Sequence, residues 1–413
     1  MGGGGVTDVA GSLYTFPLDF ADAGVDRVLD DVVHRSGINE VTIAANYHAA
    51  RDIFPHNPRR VSYSFVGGAV HFAIDPDRYD GLPLQPFPDP GIGPGNDIAK
   101  LAEQARRRSV EVHAWLNYCH QDITPYVAGT VVENAFGEPD EGQLCPSNPF
   151  VRDYLTALTA DVAAASPESI IAEAIHFGQA RHGYHHERWF TAMSPATVLL
   201  LGLCFCRHCR NAAESAGIDA AEVADIVRRG IRRGLESAAV DVGDEGLSRD
   251  TLLTDYGAEL DRFLQVRINT VSSLATRLAS TARLGGSRLV CMDPAGAVRG
   301  YMTGEVSGTV GPLPAWQLGF DLAALAETTG EVAILGYVRE PAVLRDVIDS
   351  YRRVLPATTR LAVVLRPALP DCADSAALAA KVRVCIEADV DRIDFYHYAF
   401  TPTANLSWIR DAL

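Results

Sequence analysis

The sequence predicts a single (β/α)8 barrel, an α/β fold of eight parallel strands alternating with helices. Three observations carry this expectation. Eight short, β-rich apolar runs recur along the 413 residues, separated by stretches of helical character. Most of these runs open apolar and close on a polar or aromatic residue, as barrel strands do when their C-terminal ends build a site. No Gly-rich dinucleotide fingerprint follows any run, which argues against an open doubly wound sheet.

The first run, Ser12–Asp19, ends at Asp19 and leads into a helical stretch over Val25–Val33. The second, Glu40–His48, ends at Tyr47 and His48. A loop rich in Pro and Gly, Asp75–Asn96, precedes a helix over Asp97–Arg108. The third run, Val110–Asn117, carries Trp115, and a helix over Pro149–Ala165 precedes the fourth, Ser169–Glu173. After a long helical region come Ser287–Asp293, Glu331–Val338, Arg360–Arg366 and Asp391–Tyr398. The 75–98 loop and the 194–282 segment exceed ordinary connections and read as insertions over the barrel mouth rather than separate domains. The expected organisation is a flexible leader over 1–11 and one barrel domain over 12–413, with a helical insertion at about 194–282 that contains the cysteine cluster.

Composition narrows the function classes. With 36 Lys and Arg against 52 Asp and Glu, the net charge is −16, and clustered cations for a nucleic-acid partner are missing. Hydrophobic residues make up 47% and charged ones 21%, which is ordinary globular composition. No run approaches the ~18–20 apolar residues of a membrane span. The glycine-rich start has neither the basic nor the apolar region of a secretion signal. The expectation is a soluble cytoplasmic protein with a small-molecule partner, and a homo-oligomer stays open.

Eight cysteines are too few for a disulfide scaffold of this length, but Cys204, Cys206 and Cys209 fall within six residues. Thiolates so close suit a tetrahedral zinc ion. Cys145 and His208 are the candidates for a fourth ligand, and Cys145 is preferred because it precedes a helix on the mouth side. Four thiolates leave no open position, so the expected Zn2+ is structural.

The segments Leu144-Cys145-Pro-Ser-Asn-Pro149, His182-Gly-Tyr-His-His-Glu187 and Leu203-Cys-Phe-Cys-Arg-His-Cys-Arg210 resemble those of bacterial glycoside-hydrolase-like barrel proteins related to the zinc-containing family 42 β-galactosidases. The resemblance covers about Ser12 to Arg210 by motif and the remainder by strand rhythm. It implies that Glu173, at the end of strand four, is the general acid/base. Two departures accompany it. Ala172 stands where those enzymes carry Asn, and Leu365-Arg366-Pro367 stands where strand seven would end in a nucleophilic Glu.

Glycosidic cleavage needs two carboxyls, ~5–5.5 Å apart for retention and ~6.5–9.5 Å for inversion. Asp293, on the neighbouring strand, is the preferred catalytic partner of Glu173; Asp19, Glu340 and Glu187 are further mouth carboxylates. Asp19 could instead bind a sugar hydroxyl. In the 182–187 loop, Tyr184, His185, His186 and Glu187 point to substrate recognition. The other reading is a second metal at the mouth, completed by His48 and His120. Tyr47, Trp115, Tyr118, Tyr337, Tyr396 and Tyr398 offer rings on which sugar faces pack. The leading functional expectation is a hydrolase acting on a glycoside or polyhydroxylated small molecule. A biosynthetic lyase, aldolase or isomerase on the same barrel and a non-catalytic carbohydrate-binding barrel are the alternatives.

Overall fold

The computed structural model describes residues 10–93, 95–122, 127–180, 188, 190–236, 247–294 and 311–413. Eight parallel strands close into a barrel in chain order: β1 (Leu13–Thr15), β2 (Glu40–Ala44), β3 (Glu111–Asn117), β4 (Ser169–Glu173), β5 (Arg288–Asp293), β6 (Glu331–Leu335), β7 (Arg360–Leu365) and β8 (Arg392–Phe395), with β8 pairing back onto β1. Each of the eight expected runs therefore holds a barrel strand.

The first run is shorter than expected. Pro17 occupies the first turn of a helix, Pro17–Ala23, and the backbone N–H of Phe16 donates to the Asp19 carboxylate at 2.8 Å. Proline is preorganised for that position and an acid in the first turn meets the positive helix end, so the chain leaves β1 at Thr15. Asp19 thus belongs to a helix rather than to a strand end. The leader is also shorter than expected at its far end. The N–H of Ile393 in β8 donates to Ala10, and at Gly11 an added Cβ would stand 2.2 Å from the Ile393 carbonyl oxygen. Residues 10 and 11 are therefore held against the barrel, and the rest of the expected leader lies outside the described residues.

Side chains alternate between the barrel interior and the helical layer, as the strand period of two requires. Along β5, Val290 and Met292 face inward, whereas Leu289 and Cys291 join the core beneath the helices. The interior is polar at its N-terminal end. There Arg392 is bonded to Glu40 at 2.7 Å and to Asp394 at 2.8 Å, His113 contacts Glu40 at 3.0 Å, and Ser12 Oγ donates to Asp394 at 2.9 Å. Above this plug sit Tyr14, Trp115, Ile171, Val290 and Ala362.

The excursion after β4 contains helices Pro195–Leu201, Arg207–Ser215, Ala220–Glu236 and Arg249–Tyr256, which build their own apolar cluster around Leu200, Val227, Leu260 and Phe263. Helix Ala258–Leu284 joins that cluster at its start. It then packs on helix Pro149–Ala164 and on β5, and so becomes part of the barrel wall. Two antiparallel hairpins, Ala50–Ile53 with Ser62–Phe65 and Val131–Glu133 with Pro139–Leu144, stand beyond the C-terminal ends of β2 and β3. Among the described residues, no helix is long and apolar enough to cross a membrane.

Candidate active site

A cavity of about 400 Å³ opens at the C-terminal end of the barrel. Its wall includes Tyr14, Tyr47, Trp115, Glu173, Tyr337 and Tyr396, together with His48, His120, Gln143, His176 and Gln179. Glu173 is the last residue of β4 and shares the inward face with Ile171. The register opposite β3 sets Ile171 beside Trp115, and the Trp115 indole N–H donates to Glu173 Oε2 at 2.5 Å. Burial raises the Glu173 carboxyl to about 7, against the opposing effect of that hydrogen bond. Among the described residues lining the cavity, Glu173 carries the sole carboxylate.

Aromatic contacts fix the surrounding wall. The hydroxyls of Tyr47 and Tyr396 lie 3.2 Å apart, and the Tyr14 ring is 5.5 Å from Trp115 and 5.7 Å from Tyr396. Tyr337 lies under the Arg366 guanidinium at 4.2 Å. Asp371 grips that guanidinium through two 2.7 Å bonds. Arg366, just past the end of β7, therefore braces an aromatic wall.

Several expected site residues are brought together. His48, Tyr337 and Tyr396 join Glu173 around the cavity, as do Tyr47, Trp115 and His120. Asp293 is a correction. It follows the outward parity of Leu289 and Cys291, and its carboxylate accepts the hydroxyl proton of Tyr351 at 2.7 Å, beneath helix Pro341–Val354. Asp19 is a second correction. It is 4% exposed, with burial raising its carboxyl to about 8, and it borders a separate pocket of about 10 Å³ beside Tyr398 and His56. Glu340 is an exposed helix cap. Tyr118 and Tyr398 turn away from the cavity toward Thr159 and Asp31. Tyr184, His185, His186 and Glu187 lie outside the described residues.

The sequence reading missed Tyr14, Gln143, His176 and Gln179 on the wall, and Asp122 beside it. Tyr14 was legible as an aromatic within a barrel strand, though not the inward face it takes. Gln143 was not, because it arrives on a hairpin that carries no apolar alternation. At the rim, one ligand atom each from His48, His120 and Asp122 lie within 4.8 Å of one another.

The cysteine cluster assembles as expected. Cys145, Cys204, Cys206 and Cys209 are all buried, with Cys145 Sγ at 3.6 Å from Cys206 and Cys209 and 3.7 Å from Cys204. His208 stays outside it, half-buried against Arg207. Cys145 is delivered by the end of hairpin Pro139–Leu144, just before Asn148 caps the next helix through Phe150 N–H at 2.8 Å. Cys206 precedes and Cys209 begins helix Arg207–Ser215, whose N-terminus favours thiolates. Hydrogen bonds from the neighbouring thiols hold Cys206 far below the usual range, while burial pushes Cys145 up. The buried Arg267 guanidinium, 4.5 Å over the Phe177 ring, adds a positive charge nearby; burial lowers it to about 10 against the pull of Cys209, Cys204 and Cys145. This donor set could hold a metal ion.

The sequence matches no family model and no curated protein. Among solved structures, the chain is similar to the catalytic domain of a β-amylase from Paenibacillus polymyxa, with a TM-score of 0.54 and 12% identity over 98% of both chains. It is also similar to a β-galactosidase from the psychrophilic Marinomonas ef1, with a TM-score of 0.52 and 11% identity, covering 98% of this chain and 59% of that one. At such identities the likeness is one of fold. The protein is a (β/α)8 barrel, the fold it shares with these two structures.

Proposed function

We propose that the protein is an enzyme acting on a glycoside or a related polyhydroxylated small molecule, with Glu173 as its general acid/base. One observation carries this reading: the sole carboxyl among the described wall residues stands in an aromatic cavity and is raised by burial to about 7. A carboxyl so placed keeps its proton near neutrality and can deliver it to a leaving oxygen. Tyr47, Tyr337 and Tyr396 supply faces and hydroxyls that fit a sugar ring. The motif resemblance to relatives of family 42 supports the same role for Glu173.

The outward turn of Asp293 removes the expected second carboxyl from this cavity. That observation favours, as a second reading, single acid/base chemistry of the isomerase or lyase type on the same substrate class. Glu173→Gln keeps the shape and removes the titrating proton, and is expected to lower turnover ~10²–10⁴-fold. Activity within a few-fold of the parent, on any glycoside found to be turned over, would take Glu173 out of the mechanism. Conversion of a free sugar without release of an aglycone would select the second reading.

For the thiol cluster the reading is a structural zinc ion. Zinc–sulfur bonds of ~2.3 Å in a tetrahedron set the sulfurs about 3.8 Å apart. The 3.6 and 3.7 Å separations around Cys145 lie close to that value. Zinc there would tie the excursion after β4 to the start of helix Pro149–Ala164.

A further inference from the structure

Two imidazoles and a carboxylate meet at the rim of the cavity. His48 follows β2, while His120 and Asp122 follow β3, and because these strands are paired neighbours their extensions arrive at one edge of the mouth. The two rings are 4.9 Å apart, and His48 and His120 both line the cavity. His120 is 7% exposed; His48 and Asp122 are half-buried.

The hydrogen bonds at this edge suit metal ligands. His48 Nδ1 lies 3.0 Å from the Ala49 carbonyl oxygen. A carbonyl oxygen only accepts, so in the neutral ring Nδ1 holds the proton and Nε2 keeps its lone pair. The N–H of the same Ala49 donates to one Asp122 oxygen at 2.9 Å, which fixes the direction of the other. The Gln143 side-chain nitrogen lies 2.5 Å from His120 Nδ1, and its oxygen has no partner among the described residues. Turning that amide end for end puts the oxygen on Nδ1, which then holds the proton and leaves Nε2 its lone pair. One backbone residue and one amide thus hold the three side chains whose ligand atoms lie within 4.8 Å of one another.

We propose that His48, His120 and Asp122 bind one divalent first-row transition-metal ion, with its remaining positions turned toward the cavity. Two imidazoles and one carboxylate are a donor set for such metals, and among the described residues they supply three ligands, fewer than such ions take. Ligand atoms bonded at ~2.1 Å around one ion stand about 3.0–3.4 Å apart, so small side-chain rotations close the observed 4.8 Å set. The nitrogen and oxygen donors separate this site chemically from the four thiols. The metal would lie in the same cavity as Glu173, where it could chelate vicinal oxygens of a polyhydroxylated ligand. That last role rests on the proposed function, whereas metal binding itself does not.

Cobalt(II) is the probe, added to the purified chain with any metal held by the thiols left in place. Calorimetry is expected to show one equivalent of uptake. The visible d–d bands should appear without a thiolate charge-transfer band, and azide should shift them by entering an open position. Asp122→Asn, which is nearly isosteric, should weaken cobalt binding at least ~10-fold, and His48→Ala with His120→Ala should abolish it. Elemental analysis of the thiol-bound metal and the melting temperature report on folding, and Asp122→Asn carries the test if the double variant does not fold. No uptake by the parent, equal uptake in the folded variants, or a thiolate band overturns the site; bands indifferent to azide overturn its open positions. Cobalt binding is read without substrate, so its failure leaves the role of Glu173 standing, and inactivity toward glycosides leaves the metal site standing.

Discussion

At Glu173, burial raises the carboxyl to about 7, and the Trp115 indole N–H favours its ionised form. If the protonated form is the catalyst, kcat should fall as pH rises through about 7, and that basic limb should be absent from the residual rate of Glu173→Gln. Trp115→Phe keeps a ring but deletes the donor, so the limb should move to higher pH, as a pH–rate profile would show. The same shift acts on stability. A carboxyl raised in the folded state contributes stability below its ordinary value of 4.5 that is lost as pH rises toward about 7. Glu173→Gln should therefore gain in melting temperature over the parent across that interval, while losing turnover. Equal pH dependence of melting in the two proteins would contradict the raised carboxyl assigned to the half-buried Glu173.

Among the elements, the excursion after β4 depends most on a single group. Its early helices pack mainly on one another and on the start of helix Ala258–Leu284, and the thiol cluster ties them to Cys145 beside helix Pro149–Ala164. If the cluster holds zinc as proposed, Cys206→Ser should remove it and destabilise the fold by at least ~2 kcal/mol, in the upper range for single substitutions. Chemical denaturation and elemental analysis would check both, and a metal-free chain of parental stability would refute the structural role. Spacing alone revealed Cys204, Cys206 and Cys209, since local sequence places them within two turns. Cys145 was preferred over His208 from its place before a mouth-side helix, while the hairpin that delivers it was not marked by sequence periodicity. The helix Pro17–Ala23 shows the converse: Pro17 was visible, yet the apolar run through Leu18 masked the capping that pulls Asp19 off the strand.

At the scale of the whole barrel, the charged plug links β1, β2, β3 and β8. Arg392 is 5% exposed and binds both Glu40 and Asp394. Arg392→Met leaves two buried carboxylates without their cation and should cost about 3–5 kcal/mol in denaturant titrations. Burial raises the Glu40 carboxyl, but the His113 hydrogen bond and the Arg392 charge outweigh it and hold it below its ordinary value. A depressed carboxyl contributes stability above its unfolded-state value of 4.5, lost as pH falls through the folded one. Glu40→Gln should accordingly flatten the acid limb of a melting-temperature profile, and an unchanged limb would move the acid sensitivity to other groups.

The sequence by itself determined the barrel, the strand that ends in Glu173 and the four clustered thiols, three of them by spacing alone. Strands buried on both faces are written as short apolar runs between breakers, and ligands within six residues of one another need no partner segment to be recognised. The tertiary structure decided which face each strand-end residue takes. Asp293 was legible as a strand-end acid, but a run apolar on both sides has no alternation to phase it, and only closure of the barrel turned it toward Tyr351. The same closure set β2 beside β3, bringing His48 to His120 and Asp122, and enclosed Glu173 among aromatic rings. Proximity across strands and loss of water are properties of the closed barrel, which is why the ionisation of Glu173 could not be read from its place in the chain.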